Sequence, residues 1–232
     1  MFNPPPTPYD VSFHFLGFPV RIHPFFWVIA VVLGMPSEIG NMKSTLVDLA
    51  VWTAAVFVAI MVHELGHGLA FRYVFGVRSM IVLHGTGGVT VPFVRHQRKR
   101  GILGFFSEVF LSAAGVLAGF LLVLLIFAFF LLIHPNAFLN KGVLGDFFYQ
   151  LGLVCIVWGV LNLLPIYPLD GGHIAREVFC LISPRSGAAN SLVLSIVVAV
   201  LVAVFWVRIG VFWNAALFAY LAYLSWQALE RS

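Results

Sequence analysis

The sequence predicts an all-α polytopic membrane protein of about six transmembrane helices, with a membrane-associated β-hairpin between the second and the third. Three observations lead there. Hydrophobic residues make up 61% of the 232 and charged residues only 9%, with a mean hydropathy of +1.02. A soluble domain carries about 25% charged residues, so this surface belongs in lipid rather than in water. The apolar residues also fall in long runs separated by short charged or Pro/Gly-rich segments. One β-branched segment is too short to span as a helix and is broken by a Gly-rich turn.

The start, Met-Phe-Asn-Pro-Pro-Pro-Thr-Pro, has no basic region followed by a cleavage site, so the first apolar helix is expected to be retained. Val11-Ser-Phe-His-Phe-Leu-Gly-Phe alternates and suits an interfacial strand. A first short helix runs from Pro24 to about Met35 and can extend toward Gly40. It is short of the roughly 20 residues a span needs. A second helix covers 46–74 and a third 102–133. The fourth covers 143–164, and two more follow at 188–207 and 210–229. Residues 79–94 carry β-branched residues on both sides of Gly85 to Gly88, the hairpin signal. Such a segment survives at membrane depth only where protein or a wet cavity satisfies its backbone. These elements divide the chain into 1–45, a core of 46–182, and two C-terminal helices in 183–232.

Lys and Arg orient the spans. With a cytoplasmic N-terminus, Arg21, Arg72, Arg78, Arg95, Arg98, Lys99, Arg100, Arg176, Arg185 and Arg231 fall inside, and only Lys43, Lys141 and Arg208 outside. Both termini are therefore expected in the cytoplasm. The basic run from Arg95 to Arg100 reads as a topology signal at an anionic leaflet, not as a nucleic-acid site. Cys155 and Cys180 lie in apolar segments and suggest neither a disulfide framework nor a zinc ribbon.

The second helix carries His63-Glu64-Leu65-Gly66-His67. Two histidines four apart share one helix face and can reach one zinc ion at about 2.0–2.1 Å. The intervening Glu64 can serve as general base toward a metal-bound water. Ionisable groups inside an apolar helix are functional candidates by default. A catalytic zinc takes three protein ligands. Asp170 is the strongest third candidate, in Asn162-Leu-Leu-Pro165-Ile-Tyr-Pro168-Leu-Asp170-Gly-Gly-His173. Pro165 and Pro168 break the fourth helix, and Gly171 with Gly172 permits a sharp turn. The alternative for Asp170 is a cap on the next short helix. His84 and His173 read as neutral polar groups in a wet cavity rather than ligands. Glu108 reads as a solvated or Arg-paired carboxylate, and Arg176 and Glu177 as a water-facing pair on a short helix.

The two motifs, His63-Glu64-x-x-His67 and Asn162-x-x-Pro165-x-x-x-Leu169-Asp170-Gly171, together resemble the site-2 protease family of intramembrane zinc metalloproteases. The resemblance covers 46–182. It implies one zinc ion per chain held by His63, His67 and Asp170, and Glu64 as catalytic base. It implies Asn162 near the substrate carbonyl, where an interhelical hydrogen bond is the alternative. The hairpin glycines Gly85, Gly87 and Gly88 are similarly placed as substrate-binding residues. The expected partners are transmembrane or membrane-associated protein substrates and the lipid bilayer of a prokaryotic plasma membrane. Val116 stands where many members carry Pro, and Gly119 where they carry Asn. Gly115 and Gly119, four apart, suit close helix packing instead.

The rival classes are a membrane metal-ion transporter using the same His/Asp cluster, and an inactive helix-binding relative. Transport needs ligands along a path and has no use for Glu64, and an inactive relative need not keep it.

Overall fold

The computed structural model describes residues 4–35, 42–95, 101–132 and 142–231. Arg98, Lys99, Arg100 and Lys141, the side chain of Lys43, and the extension of the first helix toward Gly40 lie outside the described residues. The elements in chain order are β1 (Val11–Phe15), β2 (Phe18–Ile22), α1 (Pro24–Gly34), α2 (Met42–Val74), β3 (Ser79–His84) and β4 (Gly87–Pro92). They continue with α3 (Gly101–Leu132), α4 (Val143–Asn162), α5 (Asp170–Ile182), α6 (Gly187–Arg208) and α7 (Phe212–Glu230). Two compact units result, one of residues 1–96 with 114–159, the other of 97–113 with 160–232.

Among the described residues, four helices are long and apolar enough to cross a membrane: Thr45–Val74 in α2, and the whole of α3, α4 and α6. Two of the six expected helices fall outside this set, each for a physical reason. Helix α1 has 11 residues, which is about 16 Å against a hydrocarbon core of about 30 Å. Helix α7 has 19 residues but includes Asn214, Ser225, Gln227 and Glu230, which dilute its apolar character. The fold is mostly helical with a small sheet, rather than all-α.

In the first unit, the predicted hairpin is β3–β4, antiparallel with Val82 opposite Val89. The predicted interfacial strand is β1, which pairs antiparallel with β2. The sheet order is β1-β2-β3-β4, with β2 and β3 parallel. A parallel pair cannot be closed by a tight turn. Here α1 and α2 form the crossover between its strands. Successive strand residues point to opposite faces. One face thus collects Phe18, Val20 and Ile22 from β2 and Ile81 and Leu83 from β3. That face belongs to a core with Phe26 and Ala30 of α1, Ala55, Ala59 and Ile60 of α2, and Leu151 and Val154 of α4. The Trp52 indole donates to Ala30 O at 3.0 Å and ties α2 to α1.

The other face carries Arg21, which pairs with Asp10 at 2.9 Å and donates to Pro4 O at 2.7 Å. The Pro-rich N-terminal segment is held on the sheet in this way. The Thr7 hydroxyl, and after it the Thr7 N–H and Arg21, hold the Asp10 carboxyl below its usual range despite desolvation.

In the second unit, α5, α6 and α7 form a helical group around Ile166, Ala199, Phe218, Leu221 and Ala222. Helix α4 ends at Asn162, and the segment before α5 runs as short turns, with Ile166 N–H donating to Leu164 O and Leu169 N–H to Ile166 O. This is the break that Pro165 and Pro168 predict. Two serines hold it: Ser195 of α6 accepts from Tyr167 N–H at 3.1 Å, and Ser225 of α7 donates to Tyr167 O at 3.1 Å.

Candidate metal centre

Helix α2 positions the first group. His63 and His67 are separated by one turn, and their Nε2 atoms lie 3.2 Å apart with the rings at 74°. Two nitrogens bound at about 2.05 Å to a tetrahedral zinc are about 3.3 Å apart. The observed separation matches that edge. His63 is buried. Helix α3 passes directly over the imidazoles at Gly115, where a Cβ would come within 2.7 Å of His63 Nε2 and still closer to His67 Nε2. Any larger residue would occupy the space between the rings and α3. Gly66 meets the Ala114 backbone in the same way, so two small residues bring the helices together.

Glu64 lies about 100° around the helix from His63, toward the sheet. It is 4% exposed. The Thr90 hydroxyl of β4 lies 2.8 Å from Glu64 Oε2 and 2.9 Å from Glu64 O. A hydroxyl has one proton and donates to one of these oxygens at a time. Gly88, on the same face of β4 two residues earlier, leaves room for the carboxylate: a Cβ there would lie 2.6 Å from Glu64 Oε1. Gly87 has φ +124° and packs on Trp158, whose ring would sit 2.6 Å from an added Cβ. Gly85 forms the two-residue turn with Thr86. His84 ends β3, its Nδ1 3.0 Å from the Thr86 hydroxyl.

Asp170 is the first residue of α5, after an N-cap at Leu169 that makes no side-chain hydrogen bond. It therefore opens the helix rather than capping it. Its carboxylate sits where the helix dipole favours negative charge. Gly171 and Gly172 press against the preceding segment: a Cβ on Gly171 would run into the Leu163 and Leu164 carbonyls, and one on Gly172 would lie 2.6 Å from Ile166 O. That contact fixes where the carboxylate begins. Asn162 is buried at the last position of α4. The His173 ring packs edge-on against Tyr167. Two imidazoles and a carboxylate are a donor set that suits zinc.

The model for peptidase family M50 matches residues 132–204, which contain α4, the break and α5. A zinc metalloprotease of Methanocaldococcus jannaschii is 29% identical over 170 residues, 72% of this chain and 44% of its own length. Stage IV sporulation protein FB of Bacillus subtilis is 30% identical over 161 residues, 69% of this chain and 47% of its own length. The chain thus spans less than half the length of either relative. The solved site-2 protease of Methanocaldococcus jannaschii shares the fold, with a TM-score of 0.60 over 95% of both chains at 22% identity. The chain is thus similar to peptidase family M50 across the broken segment and has the fold of a solved site-2 protease. Two residues beside the candidate site escape sequence reasoning. Thr90 gives no signal, because its contact to Glu64 joins residues 26 apart. Gly115 is legible as a packing residue, but the imidazoles it makes room for are not.

Proposed function

We propose that the chain is an intramembrane zinc metalloendopeptidase that cleaves transmembrane or membrane-associated protein substrates near the cytoplasmic face. The observation that carries this reading is the 3.2 Å Nε2 separation beside a buried Glu64. His63, His67 and Asp170 would hold one zinc ion. The chemistry such a centre supplies is Lewis acidity toward a carbonyl and toward water. Glu64 takes a proton from the attacking water and returns it to the leaving amine nitrogen. Thr90 is a positioning residue whose hydroxyl holds the Glu64 carboxylate on the sheet side of α2. Asn162 orients the substrate carbonyl. Substrate must unwind, because a helix hides its carbonyls in internal hydrogen bonds. The freed strand adds to β4, the sheet edge, where Gly85, Gly87 and Gly88 let a backbone approach. Helices α1 and α7 complete about six membrane crossings, with both termini in the cytoplasm of a prokaryote.

Glu64→Gln in the detergent-purified chain, assayed against a panel of fluorogenic transmembrane peptides, tests this. Zinc content stays at one per chain while cleavage falls by at least about a thousandfold. Undiminished cleavage by the variant sinks the proposal, and zinc flux into liposomes without any cleavage by the wild type would point to transport.

A further inference from the structure

Beside the last turn of α2 opens a cavity of about 290 Å³, lined among others by His14, Gly17, Phe18, Arg72, Arg78 and Ser79. No lining residue is acidic. Arg72 is held in place by aromatic rings, its guanidinium 5.9 Å from the Phe18 centroid and 5.8 Å from that of Tyr73. Neither Arg72 nor Arg78 has an acidic partner among the described residues. Ser79 is 1% exposed, and its Oγ is buried with no hydrogen-bond partner among them. A buried hydroxyl left unsatisfied is destabilising until something accepts from it or donates to it. Two guanidinium groups and one orphaned hydroxyl form a donor set for the oxygens of a phosphate.

The surroundings say which phosphate. The apolar span ending at Val74 has 30 residues, about 45 Å of helix against a hydrocarbon core of about 30 Å. The helix exceeds that core by about three turns, and its last turn carries Arg72, the basic residue suited to a headgroup layer. Phe15, Leu16, Tyr73, Phe93 and Val94, which line or adjoin the cavity in sequence, are all exposed. An apolar rim around a basic centre suits a lipid interface; a site for a soluble anion has no need of the rim.

We propose that this cavity binds the phosphate of an anionic phospholipid headgroup and pins the end of α2 to the leaflet. The inference stands apart from the hydrolytic reading, since no catalytic residue lines the cavity. Native mass spectrometry of the full chain in detergent tests it, with dioctanoyl phosphatidylglycerol, dioctanoyl phosphatidylcholine or inorganic phosphate added. Phosphatidylglycerol is expected to be retained where phosphatidylcholine is not. Arg72→Gln with Arg78→Gln lowers that retention about tenfold at unchanged melting temperature, and Ser79→Ala lowers it severalfold without loss of stability. The serine variant keeps the test decisive if the double variant does not fold. Equal retention of both lipids, or undiminished phosphatidylglycerol in both variants, overturns the proposal. Displacement by equimolar inorganic phosphate would make the ligand a free anion and overturns the lipid assignment.

Discussion

The two units position their chemistry in different ways. In the first, the imidazoles and Glu64 stand on a continuous helix, α2, and are set by what packs on it: Gly115 of α3 over the rings, and Thr90 and Gly88 of β4 beside the carboxylate. In the second, Asp170 starts a helix after a broken segment that two serines hold by hydrogen bonds. Packing fixes a side chain by excluding every other place for it, because interiors are dense and tolerate little added volume. A hydrogen-bonded break fixes a side chain through the backbone it hangs from. The first is sensitive to added atoms and the second to lost hydrogen bonds.

Removing a proposed zinc ligand should have the largest effect. His63→Ala and Asp170→Ala are both expected to lose stoichiometric zinc, read by metal analysis after gel filtration. An Asp170 variant with full zinc affinity would break the comparison by removing Asp170 from the proposed ligands. Next comes Gly115→Ala. Its methyl enters the space of both Nε2 atoms, and zinc affinity should fall about a hundredfold with the helical content unchanged; wild-type affinity would mean that α3 yields easily. Thr90→Val keeps the shape and removes the hydroxyl. We expect kcat to fall about tenfold with KM and zinc content unchanged, and Thr90→Ser to restore it; a fall in KM or zinc content alone would assign Thr90 to packing. The smallest effect is expected from Ser195→Ala, which strips Tyr167 N–H of its acceptor. A severalfold faster release of zinc to a chelator would sharpen the contrast, and an unchanged rate would show that Ser225 suffices.

Much of this was legible beforehand because it is local. The spacing of His63, Glu64 and His67 follows from helix geometry, and the end of α4 near Asn162 from proline chemistry at Pro165 and Pro168. The strands at Val11 and Ser79 announce themselves by alternation and β-branching. The number of crossings was less legible, because α1 and α7 have helix-forming sequences whose length or polarity falls short of a full apolar span.

Sequence by itself determined the spacing of His63, Glu64 and His67 on one helix and the place where the fourth helix breaks, since each depends on residues within a turn or two of one another. Only the tertiary structure decided that β2 lies parallel to β3, that Thr90 reaches Glu64, and that Gly115 rests on the imidazoles. Those contacts join residues far apart in the chain, and neither periodicity nor propensity carries information about partners that distant.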